Sequence, residues 1–359
     1  MKEKSALQHH TKRTLLLLSL LLFAVLASSF LFGRYGASAG EVAGILALRT
    51  AEPAEKALIA IFGEGAAFLP ETRPWTEQAE AVVINIRLPR ILAAAMVGAC
   101  LSAAGAAYQG VFQNPMASPD VLGASSGASF GAALAILLAF SSRGITALAF
   151  GMSLLTVLLV YLISLRAPGS RVMNLILGGI MLSSLFSAGT SYIKLVADPN
   201  NQLPAITYWL MGSLSGMRLQ DIASAAVPMC IGALILLLLR WRINILTFGE
   251  EEARSLGINT NLLRLAVIGS ATLITAASIS LAGMIGWVGL VIPHFARKLV
   301  GSNYRQLLPA SMLLGAVFLL ITDNISRNLL AVEIPIGILT AFVGAPFFIY
   351  LLFRKEKTL

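Results

Sequence analysis

Apolar positions along this chain neither form one stripe of a helix nor alternate as in a half-buried strand; they run on. Leu15–Phe32, Ile145–Leu165, Ile222–Trp241 and Ser311–Ile321 with its flanks are almost free of charge. About 20 such residues cross a hydrocarbon core as an α-helix. Strands of a membrane barrel would alternate over roughly ten residues each, and these runs do not. The pattern predicts spans at 14–33, 88–112, 121–140, 145–165, 172–196, 222–241, 263–283, 286–300, 308–330 and 335–354. The expected fold class is an all-α polytopic membrane protein of about ten transmembrane helices, in a single domain over 1–359.

The polar intervals divide into two kinds. The longest, 34–86, carries seven glutamates with Pro53, Pro70 and Pro74, and short surface helices are expected there. Lys12 and Arg13 precede a leucine run in the manner of a signal peptide. The run is too long, lacks a small-x-small cleavage site and is followed by further spans, so it reads as a retained first helix.

Composition narrows the functional classes. Of 359 residues 57% are hydrophobic and 12% charged, with a net charge of +9. With the N-terminus inside, the inner segments hold 16 Lys and Arg against 6 Asp and Glu, and the outer ones 10 against 11. Basic residues gather on inner loops of membrane proteins, so the charge sets orientation, with both termini cytoplasmic, and does not mark a nucleic-acid surface. Cys100 and Cys230 fall inside apolar spans, where small buried hydrophobes are expected rather than a disulfide or metal site. His9, His10 and His294 lack the acidic or thiol neighbours of a metal centre. No phosphate loop of the form G-x-x-x-x-G-K-[ST] occurs, and neither a catalytic constellation nor a cofactor is expected.

Intramembrane carboxylates, which an ion-coupled carrier needs, are nearly absent. Asp323 is the one expected within a span, with Arg327 four residues on where a helix pairs them. A secondary transporter is thereby disfavoured. A membrane scaffold is disfavoured too, because it would leave the inner segment "GEEEARSLG" (249–257), with four charges in nine residues, unexplained. Gly98, Ser102, Ala106 and Gly110 form one ladder of small residues, and Gly123, Gly127 and Gly131 another. Such ladders let helix backbones approach closely in lipid. "SAAGAAYQGVFQNP" (102–115) and "SLAGMIGWVGLVIP" (280–293) echo one another weakly, as two inverted halves would.

The stretch "NIRLPRILAAAMVGACLSAAGAAYQGVFQNPMASPDVLGASSGASFG" (85–131) resembles the FecCD family of permeases. The resemblance continues through "GEEEARSLGI" (249–258), "GLVIPHFAR" (289–297) and "PIGILTAFVGAPFFIYLL" (335–352). It implies a type II ABC importer permease of the cytoplasmic membrane that moves an iron–siderophore or similar metal chelate, with haem and cobalamin as alternative cargoes. It implies a homodimer, two copies of a cytoplasmic ATPase on which the hydrolysis resides, and an external substrate-binding protein. The inner loop 242–262 would then couple to the ATPase through Glu250, Glu251, Glu252, Arg254 and Gly257. Glutamates suit a helix start and arginine its later turn, and Gly257 a break. Arg87, Arg90 and Arg327 are expected at the outer membrane surface, facing carboxylates of the binding protein. Asn114 and Met116, with Val172 and Met173, would lie near a cytoplasmic gate. Pro119 and Asp120 suit the first turn of the third span.

Overall fold

A computed structural model describes residues 2–62 and 73–353; of 2–10, 61, 62, 250, 251, 351 and 352 it gives the backbone alone. Among the described residues every regular element is helical. The helices are α1 (Lys2–Ser29), α2 (Ala39–Phe62), α3 (Glu77–Ala81), α4 (Leu88–Val111), α5 (Ala124–Leu137), α6 (Ser142–Arg166), α7 (Arg171–Val196) and α8 (Gln202–Met211). They continue with α9 (Leu219–Leu246), α10 (Glu250–Ser255), α11 (Thr260–Ala282), α12 (Val288–Val300), α13 (Tyr304–Asn328) and α14 (Ile336–Phe353). Seven helical stretches are long and apolar enough to cross a membrane; α5 and α14 are shorter apolar helices. With the 13-residue α12, a helix occupies each of the ten expected span positions among the described residues, most within three residues of the expected ends.

The helix α4 is the axle of the bundle, and its small residues are the reason. A side chain at Gly105 would overlap the carbonyl of Gly289, and one at Gly98 the carbonyl of Gly315, so α12 and α13 lie backbone to backbone on it. The Ser102 hydroxyl is satisfied within the bundle, donating to its own helix at Gly98 O (2.7 Å) and reaching Ser311 O at 2.8 Å. The second ladder does the same for α5 on α6, where Gly127 meets Thr156 and Gly131 the Leu148 carbonyl. Close approach of small residues drives helix association where lipid removes the hydrophobic incentive.

Several features depart from expectation. The interval 34–86 holds a 24-residue helix, α2, longer than expected because Val42, Ile45 and Leu48 give it a buried stripe, together with the short α3; its residues 63–72 lie outside the described set. Pro53 is accommodated within it. A π-helical turn, Val82–Arg87, joins α3 to α4, so helix continues from Glu77 to Val111. An unforeseen short helix, α8, lies between the fifth and sixth spans. Cys230 is exposed on the outer face of α9, while Cys100 is buried, and both are free thiols. The echo between 102–115 and 280–293 has no counterpart in backbone form, since the first runs through α4 and the second is broken at 283–287.

Side-chain ties show which segments share an end of the bundle. Gln113 Nε2 donates to Leu246 O (2.6 Å), Arg171 Nη1 to Asn261 Oδ1 (2.5 Å) and the Tyr304 amide to Asn244 Oδ1 (2.8 Å). These gather the ends of α4 and α9 with the starts of α7, α11 and α13 around α10, here the α10 end. At the opposite, Arg87 end, Arg143 donates to Gln220 (3.0 Å) and Gln202 to Leu137 O (3.0 Å).

Candidate functional site: a path between two unlike ends

At the Arg87 end the three arginines expected at the surface are buried, with 2%, 4% and 7% of Arg87, Arg90 and Arg327 exposed. Arg90 Nε donates to Asp323 Oδ1 at 2.7 Å, and its Nη1 to both Glu333 oxygens at 2.9 and 2.8 Å. Arg327 Nε lies 3.1 Å from Asp323 Oδ2, the i,i+4 pair expected from sequence. Arg87 donates to the carbonyls of Phe30 and Tyr35, and Arg327 to Asn324 and, at 3.4 and 3.5 Å, to Phe32 O and Ser29 O. These guanidiniums therefore staple the end of α1 to α4 and α13. The surface expectation fails because a π turn and the 29–35 segment fold over the arginines. Glu333, which the sequence reading overlooked, is the partly exposed outer member, one residue past the exposed Val332.

Midway along the bundle three helices break at one place. The Ser213 amide donates to Ala282 O (2.8 Å), and the Ile336 amide to Gly212 O (2.9 Å). Thus the end of α8, the end of α11 and the start of α14 meet through backbone alone. Gly212 and Gly283 take positive φ (+72° each) in space that backbone atoms of Met284 and Trp209 already bound. Beside this junction opens a cavity of about 610 Å³ walled by Met211, Met284, Trp287, Ile338, Phe342 and neighbours, with no charged side chain. Trp287 stands out there. It holds φ = +71° as the residue before α12, and its ring sits against Gly344 and meets Phe348 edge-on at 6.4 Å. A bulky residue in that backbone region costs of order 1–3 kcal/mol and persists only where its surroundings over-determine it. The glycine-rich run Gly283, Gly286, Gly289 around it was the available sequence signal.

At the α10 end, Gly249 (φ +120°) opens the short helix and Gly257 (φ +75°) closes it, its amide donating to Arg254 O at 2.9 Å. Ala253 is buried beneath, whereas Glu252 and Arg254 are exposed; the side chains of Glu250 and Glu251 lie outside the described set. Flanking the charges, Phe248 and Leu256 leave 71% and 66% of their surface open, an apolar border that the count of charges alone does not reveal. Asn259 Oδ1 caps α11 through the Leu262 amide (3.1 Å). Asn114 and Met116 are exposed at this end, with Asn114 Oδ1 accepting from the Met116 amide (2.8 Å). Met173 is exposed and Val172 half-buried at the start of α7. The two pairs thus share an end of the bundle, one on the loop after α4 and the other in the first turn of α7. His294 packs edge-on to Phe347 at 6.0 Å. Among the described residues no cluster of His, Cys, Asp or Glu could hold a metal.

A model of the FecCD transport family matches residues 20–354. The chain belongs to that family. A solved structure described as an inward-facing conformation of a candidate metal-chelate type ABC transporter superposes on this FecCD permease with a TM-score of 0.82 at 37% identity. That match covers 96% of this chain and 100% of the other. The molybdate import permease MolB of Haemophilus influenzae is 41% identical over 280 residues, covering 77% of this chain and 82% of its own. A probable iron chelatin permease of Helicobacter pylori is 42% identical over 275 residues, 77% of this chain and 83% of its own. The ten-helix bundle is accordingly an ABC importer permease, a multi-pass membrane protein and a transport subunit.

Proposed function

We propose that this permease carries an iron–siderophore or similar metal chelate inward across the cytoplasmic membrane, as a homodimer driven by ATP hydrolysis on a separate subunit. The observation that carries the reading is the cavity at the triple helix break. About 610 Å³ in one chain suits a bulky complex whose metal is already wrapped in ligand. Its Met, Trp, Phe and Ile walls carry no charged side chain to hold a bare ion. MolB takes molybdate and the Helicobacter relative an iron chelate, so relationship alone leaves the cargo open and the apolar walls favour the chelate.

In this reading the α10 end is cytoplasmic, both termini included, as the excess of Lys and Arg there supports. Two ATPase copies seat on α10 through Glu252, Arg254, Glu250 and Glu251, with Phe248 and Leu256 filling apolar sockets and Gly257 permitting the turn. Asn114, Met116, Val172 and Met173 flank the cytoplasmic exit. A binding protein docks at the other end, where Arg87, Arg90 and Arg327 outnumber Asp323 and Glu333. These arginines act from inside by holding the rim in shape and lending it positive potential. The 34–86 interval, external here, frames the same rim.

The test is uptake by vesicles containing the permease, its ATPase and its binding protein, offered radiolabelled iron as a panel of siderophore complexes, as haem iron, or as free iron, and in parallel molybdate. ATP-dependent entry of a siderophore complex, absent with a hydrolysis-dead ATPase, is expected. Entry of molybdate alone would overturn the chelate reading, and haem entry alone would replace it with the haem alternative.

A further inference from the structure

Asp120 is not where the hydropathy pattern puts it. The segment after α4 folds back into the bundle as a 3-10 turn, Pro119–Leu122, and Pro119 packs against Gly289 and the start of α12. Asp120 lines a small chamber together with Leu101 of α4 and Thr275 and Ile279 of α11. Leu101 precedes the end of α4 by ten residues, so at 1.5 Å per residue the carboxylate stands about 15 Å inside the bundle. It accepts a hydrogen bond from the Ser125 hydroxyl, and its side chain stays exposed despite that depth. No Lys, Arg or His lines the chamber. An ionisable residue at such depth normally faces a partner or a transport pathway.

The chamber adjoins the apolar cavity. It holds about 10 Å³, room for one water, and shares Gly286 and Trp287 with the apolar cavity. Trp287, in its left-handed backbone, is thus a partition with a large uncharged cavity on one side and a lone carboxylate on the other. Gly289 and Leu290 from the first turn of α12 complete the wall. The positive end of that helix, about half a charge, supports ionised Asp120 without cancelling it. An exposed negative charge acts over about a Debye length, roughly 8 Å at physiological salt, which is enough to reach across a chamber one water wide.

We propose that Asp120 and Trp287 form a charge-selective constriction that passes neutral or cationic metal complexes and holds back bare oxyanions. The proposal rests on the chelate reading and deepens it by naming the charge class of the cargo and the residues that impose it. It also accounts for how a chain so similar to a molybdate permease would refuse such an anion.

The experiment reads the partition directly, without a transported ligand. Trp75, Trp209 and Trp241 are replaced by Phe in the full-length permease, in lipid nanodiscs, leaving Trp287 as the reporter. Its fluorescence is quenched with iodide, caesium and neutral acrylamide. Caesium should quench at least threefold better than iodide after correction for their action on free tryptophanamide. Asp120→Asn should raise iodide quenching at least threefold and leave acrylamide unchanged, while Asp120→Glu retains the original ratio. Should the Asn variant melt lower, Asp120→Ser, which keeps a partner for Ser125, takes its place. An iodide-to-caesium ratio indifferent to the charge at 120 overturns the proposal, even if vesicles take up an iron chelate. A ratio that responds as expected, with no uptake of molybdate by the same vesicles, supports it whichever neutral or cationic complex proves to be the cargo, and uptake of molybdate overturns it.

Discussion

Two spans of this permease look alike to a hydropathy scan and end in opposite surroundings. The most apolar 18-residue window of Glu77–Val111, the stretch that contains α4, has a mean hydropathy of 1.8 and 78% of its residues buried; that of α7 has 1.6 and 17%. What separates them is size rather than polarity. The inward positions of α4 are Gly98, Ser102, Gly105 and Ala106, which admit other backbones, whereas α7 presents Met181, Leu185 and Leu195 outward. Lipid solvates leucine as well as a protein core does, so apolarity does not choose the inside; small residues do, by letting backbone dipoles and van der Waals surfaces meet. The outward face of α7 then needs only to be apolar, whether it meets lipid or a second copy.

The comparison can be broken most severely at Gly105. Gly105→Leu drives a side chain into Gly289, and no dispersed, folded permease should elute from a sizing column. Met181→Ala and Leu185→Ala on α7 should each change stability by no more than about 0.5 kcal/mol. Equal damage from both helices would refute the size argument. Next in magnitude is the buried ion cluster that fastens α4 to α13. Asp323→Ala leaves Arg90 and Arg327 facing one another and should cost about 3–5 kcal/mol, the usual range for an orphaned buried charge. It should appear as a lower melting temperature in lipid nanodiscs, whereas Arg143→Ala, whose bond to Gln220 is exposed, should change little.

The α10 end should respond in function and not in stability. Glu252→Lys alters an exposed position, so melting should stay near wild type while coupled uptake falls at least tenfold and the ATPase co-purifies poorly. Normal uptake with an intact complex would remove α10 from the coupling interface. The smallest effect concerns α2. The Ser38 amide and hydroxyl hold the Glu41 carboxyl below its ordinary range. A carboxylate with lowered folded pKa contributes at neutral pH and loses that contribution as pH falls through the acidic range. Amide protection over 40–45 should decline on acidification, and Glu41→Gln should abolish that decline while the protection of α4 stays unchanged.

Much of this was legible before any coordinates. The ten spans followed from run lengths, the ladders on α4 and α5 from spacing, and the Asp323–Arg327 pair from helical periodicity. What escaped had non-local causes. Arg90 finds Glu333 across 243 residues, and Arg87 finds the carbonyl of Phe30 only because the chain between them folds over it; no local pattern encodes either. Pro119 and Asp120 do open a helical turn, as their residue types suit, but its depth escapes the sequence because the close fit of Gly105, Gly289 and Pro119 draws that turn into the bundle. Trp287 lacked a signal of its own, since the strain at one residue belongs to the backbones packed around it.

The triple break has a consequence for how the protein is made. α12 has 13 residues and α14, at 18, begins at the junction, so neither matches the roughly 20 apolar residues that carry a helix into lipid unaided. The amides of Ser213 and Ile336 reach their partners, Ala282 O and Gly212 O, only when all three segments have arrived, and lipid offers them no substitute. The C-terminal third therefore cannot be committed to the bilayer helix by helix as it leaves the ribosome. α8 and the end of α11 must wait, sheltered in the insertion machinery or against α4, until Ile336 has been synthesised and its amide can close onto Gly212. A ribosome stalled shortly before that residue would leave a chain that is inserted yet unfinished, and a natural target for membrane proteases.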